Sequence, residues 1–178
     1  MRKLNAVLSM LILVLFILHA VFGSFQILGI GNTALKLLAW VSVCLIIVHT
    51  VIGIKLTWDT LRIQKKNGVS YFRENKLFWI RRISGFAVMV LLFFHITAFG
   101  HTSNGFYRLH NFNAAKLTSQ ILLVASVGVH ILSNVKPIML AFGIRSFKHW
   151  IYDILIVLSF VLLFMAIALV VYYMRWSA

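Results

Sequence analysis

The sequence has 178 residues, of which 62% are hydrophobic and only 11% are charged, and its mean hydropathy is +0.98. These values exclude an ordinary water-soluble domain, whose solvated surface needs more charged residues. The formal charge of +14 does not indicate nucleic-acid binding, because the basic residues flank apolar segments and form no stripe on a soluble face. The composition therefore predicts an integral membrane protein that contacts membrane lipid and no nucleic acid.

Five apolar segments are long enough to cross a hydrocarbon core, which requires about 20 helical residues. In chain order they cover residues 4–28, 33–61, 77–100, 114–143 and 147–174. Pro137 is the only proline and the alternation of a membrane β-barrel is absent, which favours α-helices. We interpret the first segment as a retained span and not as a signal peptide. The prediction is one all-α domain over residues 1–178, an integral membrane bundle of five transmembrane helices.

The distribution of basic residues predicts the orientation of this bundle. With the N-terminus inside, 13 of the 17 basic residues fall on the cytoplasmic side: Arg2, Lys3, Lys55, Arg62, Lys65, Lys66, Arg73, Lys76, Arg81, Arg82, Lys136, Arg145 and Lys148. Lys36, Arg108, Lys116 and Arg175 remain outside. The positive-inside rule therefore favours a cytoplasmic N-terminus and an external C-terminus.

Each of the first four spans contains one histidine in its interior, which is costly in hydrocarbon unless the ring is ligated or hydrogen-bonded. Counted from the span ends, His19 and His95 both lie about 22 to 27 Å above the cytoplasmic side. His49 and His130 both lie about 24 Å below the outer side. The four histidines thus form an outer and an inner level, with two residues at each.

Two histidines at one height on different helices are the axial ligands that a six-coordinate b haem needs. Two such levels predict two stacked haems and an electron path across the bilayer. The lone Cys44 excludes an intrachain disulfide and an iron–sulfur cluster held by this chain. Interhelical hydrogen bonds or cavity-lining roles are the alternative interpretation of the histidines.

Residues near the histidines agree with this hypothesis. Small residues lie one helical turn from three of them, namely Gly23, Gly53 and Ser126, and would admit a flat macrocycle, although glycine is also common at plain helix contacts. Lys55 follows His49, and Lys136 follows His130, at the same spacing of six residues. Each lysine lies about 9 Å below its histidine, where the propionates of an inner haem would lie. A lysine that marks the end of a span is the alternative.

The sequence resembles the two-haem cytochrome b membrane subunit of the succinate dehydrogenase and fumarate reductase family. Arg82-Ile-Ser-Gly85, which leads into the helix of His95, is similar to the arginine-x-serine/threonine-glycine motif of that family. His130-Ile-Leu-Ser-Asn134 is similar to a histidine-leucine-serine-asparagine stretch in its next haem-bearing helix. The order of five spans with one histidine in each of the first four also matches, so the resemblance covers essentially the whole chain.

The resemblance implies ligands, cofactors and partners. His19 and His95 would bind the outer haem b and His49 and His130 the inner one, with Arg82 near the cofactor. It further implies an iron–sulfur subunit and an FAD flavoprotein on the cytoplasmic face, and menaquinone or another quinone in the membrane. The complex would be a quinone-linked oxidoreductase of the bacterial cytoplasmic (inner) membrane, with no dicarboxylate active site on this chain.

The sequence departs from the family pattern in its acidic residues. The only acids, Asp59, Glu74 and Asp153, are all predicted at the cytoplasmic side, and Gly128 occupies the region where some members have a proton-path carboxylate. We therefore predict electron passage without a carboxylate proton path. A proton acceptor on the outer side would then be His101, His110, Tyr107 or water.

Two other functions remain open from the sequence. The chain is also consistent with a cytochrome b subunit of another quinone-linked complex, such as a hydrogenase or formate dehydrogenase, although those usually have four spans. A transporter with a histidine relay belongs to a different class, and it is disfavoured because intramembrane acids and interrupted helices are absent from the sequence pattern.

Overall fold

The computed structural model describes residues 1–30, 36–68, 75–98, 100–103, 106–144 and 148–176. Five α-helices account for most of them: α1 (Arg2–Ile27), α2 (Lys36–Asn67), α3 (Lys76–Thr97), α4 (Ala114–Ala141) and α5 (Lys148–Trp176). A short antiparallel hairpin, β1 (His101–Ser103) and β2 (Phe106–Arg108), connects α3 to α4. All five helices are long and apolar enough to cross a membrane, which confirms the predicted fold class.

The predicted span boundaries differ from the helices by a few residues, most clearly at α2. The sequence predicts a polar loop from Arg62, but α2 continues to Asn67 and ends before Gly68, whose φ of +69° is a conformation that glycine adopts readily. The physical reason is that Arg, Gln and Lys are good helix formers, so polarity alone does not end a helix. At 32 residues, α2 is about 48 Å long and exceeds a hydrocarbon core of about 30 Å.

Side-chain caps define the starts of α3 and α4. The Asn75 side chain accepts a hydrogen bond from the Phe78 amide at 3.0 Å, and the Asn113 side chain accepts one from the Lys116 amide at 3.0 Å. Several predicted features lie outside the described residues: the starts at residues 33 and 147, and the positions of Arg73, Glu74 and Arg145.

The helices pack in an order that leaves two pairs lying across the bundle from each other. The closest packing joins α3 to α4, and α1 packs against both α2 and α5, while α5 also packs against α4. The helix α1 also contacts α4, and none of the extensive helix contacts in the described part of the chain joins α1 to α3 or α2 to α4. Side chains occupy the space between these diagonal helices, and the histidines described below meet there.

The surface and core have the polarity expected of a protein surrounded by lipid. Large apolar side chains point outward, including Phe86 and Trp58, which are 72% and 70% exposed. Small residues such as Ala20 and Ala168 are buried where helices approach closely. Only three polar side chains are buried among the described residues, Ser24, Ser84 and Gln120. Two of these contact histidines.

Candidate cofactor site: two histidine pairs

Four histidines of the membrane-spanning helices meet as two pairs. The ring centroids of His19 on α1 and His95 on α3 are 5.9 Å apart, and their planes are inclined by 80°. The centroids of His49 on α2 and His130 on α4 are 6.4 Å apart, also with an inclination of 80°. The structure therefore brings these residues together in the two combinations named from the sequence. We call them the outer pair (His19 and His95) and the inner pair (His49 and His130), after the predicted orientation.

The two pairs lie at different heights in the bundle. On α3, Gly85 contacts the ring of His130 and precedes His95 by ten residues. On α4, Gln120 contacts His95 and precedes His130 by ten residues. Ten residues of α-helix rise about 15 Å, so both helices place the same distance between the pairs.

The ring of His95 is held by Gln120 across the interface between α3 and α4. Nδ1 of His95 lies 2.7 Å from Oε1 of Gln120. The Gln120 amide nitrogen donates to Oγ of Ser119 at 3.2 Å, which directs Oε1 toward the histidine as an acceptor. Nδ1 of His95 therefore carries the proton, and Nε2 is left with its lone pair for a metal ion.

The ring of His130 on α4 is held by Ser84 on α3, across the same interface. Oγ of Ser84 lies 3.2 Å from Nδ1 of His130, and the Ser84 hydroxyl donates to the Arg81 carbonyl at 3.3 Å. With the proton on Nδ1, Ser84 accepts from the ring, and Nε2 of His130 is the nitrogen that would bind a metal ion. A Cβ at Gly85 would lie 3.0 Å from Cε1 of His130, so glycine leaves the room that this ring occupies.

Two polar side chains that follow His130 on α4 form hydrogen bonds to its backbone carbonyl. The Ser133 hydroxyl and the Asn134 amide both donate to the His130 carbonyl, at 3.1 and 2.7 Å. Such side-chain bonds to a preceding carbonyl compete with the helical hydrogen bond and locally bend a helix. Pro137, which lies within the same helix, removes a further backbone donor.

The outer pair borders a largely apolar cavity of about 210 Å³. All five helices contribute to its wall, and Tyr107 and Leu109 border it from the connection between α3 and α4. Gly23 also lines it, and a Cβ at this position would meet no atom within 4 Å. The open space beside His19 is consistent with room for a flat ligand at this level.

Each pair supplies two nitrogen ligands, which is too few for a structural zinc ion. In the described ranges, no group of three or more His, Cys, Asp or Glu side chains could hold a bare metal ion. A haem brings four nitrogens of its own and needs two axial ligands. Metal–imidazole bonds of about 2 Å on either side of one ion place the ring centroids about 6 Å apart. The centroid separations of 5.9 and 6.4 Å are compatible with one such haem between each pair.

Two arginines of α3, Arg81 and Arg82, lie near the inner pair. Nη1 of Arg82 lies 3.9 Å from a Cβ built on Gly53, one turn from His49, and its guanidinium is 5.0 Å from the Phe78 ring centroid. Nε of Arg81 is buried and has no hydrogen-bond partner among the described residues. A carboxylate such as a haem propionate would be a suitable partner for these groups.

The structure does not bring Lys55 or Lys136 to the histidines in the same way. Both side chains are exposed. Six residues are one and two-thirds turns of α-helix, so each lysine projects about 120° around the helix axis from its histidine. Their predicted contact with propionates would require the long side chains to reach around the helix, and it stays a prediction.

The connection between α3 and α4 is fixed to the end of α5. The Leu109 amide donates to the Tyr172 hydroxyl at 2.7 Å, and the Arg108 guanidinium lies 3.1 Å from the centroid of the Trp176 ring. Of the predicted outer proton acceptors, Tyr107 accepts from the Gly100 amide at 3.1 Å and borders the cavity, and His110 is exposed. The side chain of His101 lies outside the description.

Sequence reasoning missed the partners of the histidines. Ser84 and Gly85 lie inside a motif that the sequence analysis quoted, but their contact with the histidine of another helix is not visible in local spacing. Gln120 and Arg81 were not singled out as site residues. A buried glutamine in an apolar span is the signal that would have identified Gln120.

No protein-family model, curated protein or solved structure matches this chain. The interpretation of the site therefore depends on the residues and their geometry.

Proposed function

We propose that this chain is the membrane anchor and electron-transfer subunit of a quinone-linked oxidoreductase, and that it carries two b haems. The observation that carries the proposal is the presence of two histidine pairs at two heights, with ring centroids 5.9 and 6.4 Å apart. Each pair is supplied by helices that lie across the bundle from each other, so a macrocycle would fill the space between them.

The residues of the chain would bind and orient the cofactors. A bound haem at each pair would supply one-electron redox chemistry, which side chains do not provide. The bonds from His95 to Gln120 and from His130 to Ser84 keep the Nε2 atoms available as ligands. Arg81 and Arg82 would compensate the negative charge of propionates at the inner pair, and the apolar wall of the outer cavity would exclude water.

We further propose that the soluble partners are an iron–sulfur subunit and an FAD flavoprotein that interconverts fumarate and succinate on the cytoplasmic face. The support is the resemblance of Arg82-Ile-Ser-Gly85 and His130-Ile-Leu-Ser-Asn134 to motifs of that family. In the structure the two motifs meet, since Ser84 and Gly85 both contact His130. Electrons would pass between that module and a membrane quinone, menaquinone or another type.

Alanine substitution of the histidines on α3 and α4 tests the haem assignment. Purified His130→Ala should contain the outer haem only, His95→Ala the inner haem only, and the double variant none. Haem per polypeptide and low-spin electron paramagnetic resonance signals measure this. If His130→Ala keeps both low-spin signals, the pairing is wrong.

Identification of co-purifying proteins tests the choice of complex. Gentle solubilisation of the tagged chain from its native membrane should recover a flavoprotein and an iron–sulfur protein, with succinate-dependent reduction of quinone. Recovery of a nickel–iron or molybdenum enzyme in their place would assign the chain to a hydrogenase or formate dehydrogenase.

A further inference from the structure

The two hydrogen bonds that hold histidine rings are reciprocal across one interface. His95 belongs to α3 and is held from α4 by Gln120, whereas His130 belongs to α4 and is held from α3 by Ser84. Gln120 and Ser84 are 3% and 6% exposed, and α3 and α4 form the most extensive helix contact in the described part of the protein. One histidine of each pair is therefore fixed by the same rigid pair of helices.

The inner-pair histidine of α2 has no comparable support. Nδ1 of His49 is buried and finds no hydrogen-bond partner within the described residues. In those ranges the one extensive contact of this helix is with α1, and Oγ1 of Thr50 lies 3.2 Å from Sδ of Met89 on α3. Neither the ring nor the helix that carries it is fixed as His130 is.

We infer that the α3–α4 pair is a preformed support for both haems, and that His49 is the exchangeable axial ligand of the inner haem, whose place a small neutral iron ligand such as imidazole can take. This inference rests on the proposed function. His130 would keep the haem bound, and imidazole would take the place of the missing ring when His49 is replaced.

The physical reason lies in the hydrogen bonds of the ligating rings. A partner on the second ring nitrogen fixes the tautomer and raises ligand basicity, and loss of such a partner typically lowers metal affinity about 10- to 100-fold. His130 has this support from Ser84, and the ring is further confined by Gly85. His49 is free of both constraints, so its bond to the iron should be the weaker one.

Matched glycine variants of the two inner histidines test the inference. His49→Gly should still purify with two haems per chain, one of them high-spin, and added imidazole should restore its low-spin spectrum. His130→Gly should purify with one haem per chain, and imidazole should not restore the second. Equal haem content in the two variants, or retention by His130→Gly and loss by His49→Gly, would overturn the inference.

A second pair of variants keeps the test decisive if a glycine variant does not fold. Ser84→Ala should accelerate transfer of the inner haem to excess apomyoglobin about 10- to 100-fold. The control Ser159→Ala removes an exposed hydroxyl that donates to the Leu155 carbonyl of its own helix, and it should transfer haem at the unmodified rate. Equal rates for Ser84→Ala and Ser159→Ala would contradict the role given to the α3–α4 pair. A wild-type chain that binds no haem would refute the proposed function itself, which is a separate result.

Discussion

At the residue scale, the hydrogen bond to Gln120 determines which ring nitrogen of His95 carries the proton. In Gln120→Leu, Nδ1–H of the histidine would remain in an apolar site without its acceptor, at a cost of about 1–3 kcal/mol. The outer haem should bind about 10- to 100-fold more weakly, and its midpoint potential should rise because the less basic ligand stabilises ferric iron less. Redox titration and haem content measure both effects.

The control for this change is Gln64→Leu, which removes a glutamine amide from α2 at a position that does not line the outer cavity. It should leave the potential of the outer haem near the wild-type value. A Gln120→Leu variant whose two haems titrate like those of the wild type would show that the hydrogen bond has no role in ligation.

Substitutions at two glycines should perturb the inner and the outer histidine pair separately. In Gly85→Ala, the new methyl group would lie 3.0 Å from Cε1 of His130, and overpacking of about 1–3 kcal/mol would outweigh the gain in helix propensity of about 1 kcal/mol. In Gly23→Leu, the side chain would enter open space in the protein, so the fold should be retained while a ligand in the outer cavity is displaced.

We therefore expect Gly85→Ala to alter the electron paramagnetic resonance signal of the inner haem alone, and Gly23→Leu to lower the content of the outer haem alone. Equal effects of either change on both haems would contradict the assignment of these residues to separate levels.

The depth count from the sequence pairs the same histidines whose rings lie close together in the structure, but it does not give their hydrogen bonds. Depth within an apolar span can be counted because the rise of an α-helix is constant, and this count placed His19 with His95 and His49 with His130. The rotation of one helix against another depends on packing between distant segments, so the contacts of Ser84 and Gln120 could not be counted in the same way. Depth was also insufficient for Lys55 and Lys136. Each lies at a suitable height below its histidine, but on a different face of the helix.

At the scale of elements, the connection between α3 and α4 depends on Tyr172 of α5. In Tyr172→Phe, the Leu109 amide would lose its acceptor, and the helix connection should be destabilised by about 1–3 kcal/mol. Hydrogen exchange at the Leu109 amide should become faster. Tyr173→Phe is the matched control, and equal exchange in both variants would show that the Tyr172 bond does not fix the connection.

The existence and order of the helices could be predicted because each span exceeds the length needed to cross a bilayer. The hairpin of β1 and β2 could not, because it has only three residues in each strand and lies in a loop without strong alternation. The extension of α2 to Asn67 was missed because a polar sequence of good helix formers resembles a loop when only hydropathy is considered.

At the scale of the whole molecule, the distribution of basic residues predicts a cytoplasmic N-terminus and an external C-terminus. Alkaline phosphatase fused after Trp176 should be active, and green fluorescent protein fused there should be dark, because each reporter folds on one side only. The opposite pattern would place the basic end of α2 outside, where the proposed iron–sulfur and flavoprotein subunits could not dock from the cytoplasm.

The central proposal is that this five-helix bundle would hold one haem between each histidine pair. The most direct measurement is the haem content of the purified wild-type chain, together with its reduced-minus-oxidised spectrum. We predict two b haems per polypeptide, both low-spin with two histidine ligands. A colourless protein, or a haem content well below two with no b-type α-band on reduction, would contradict the account.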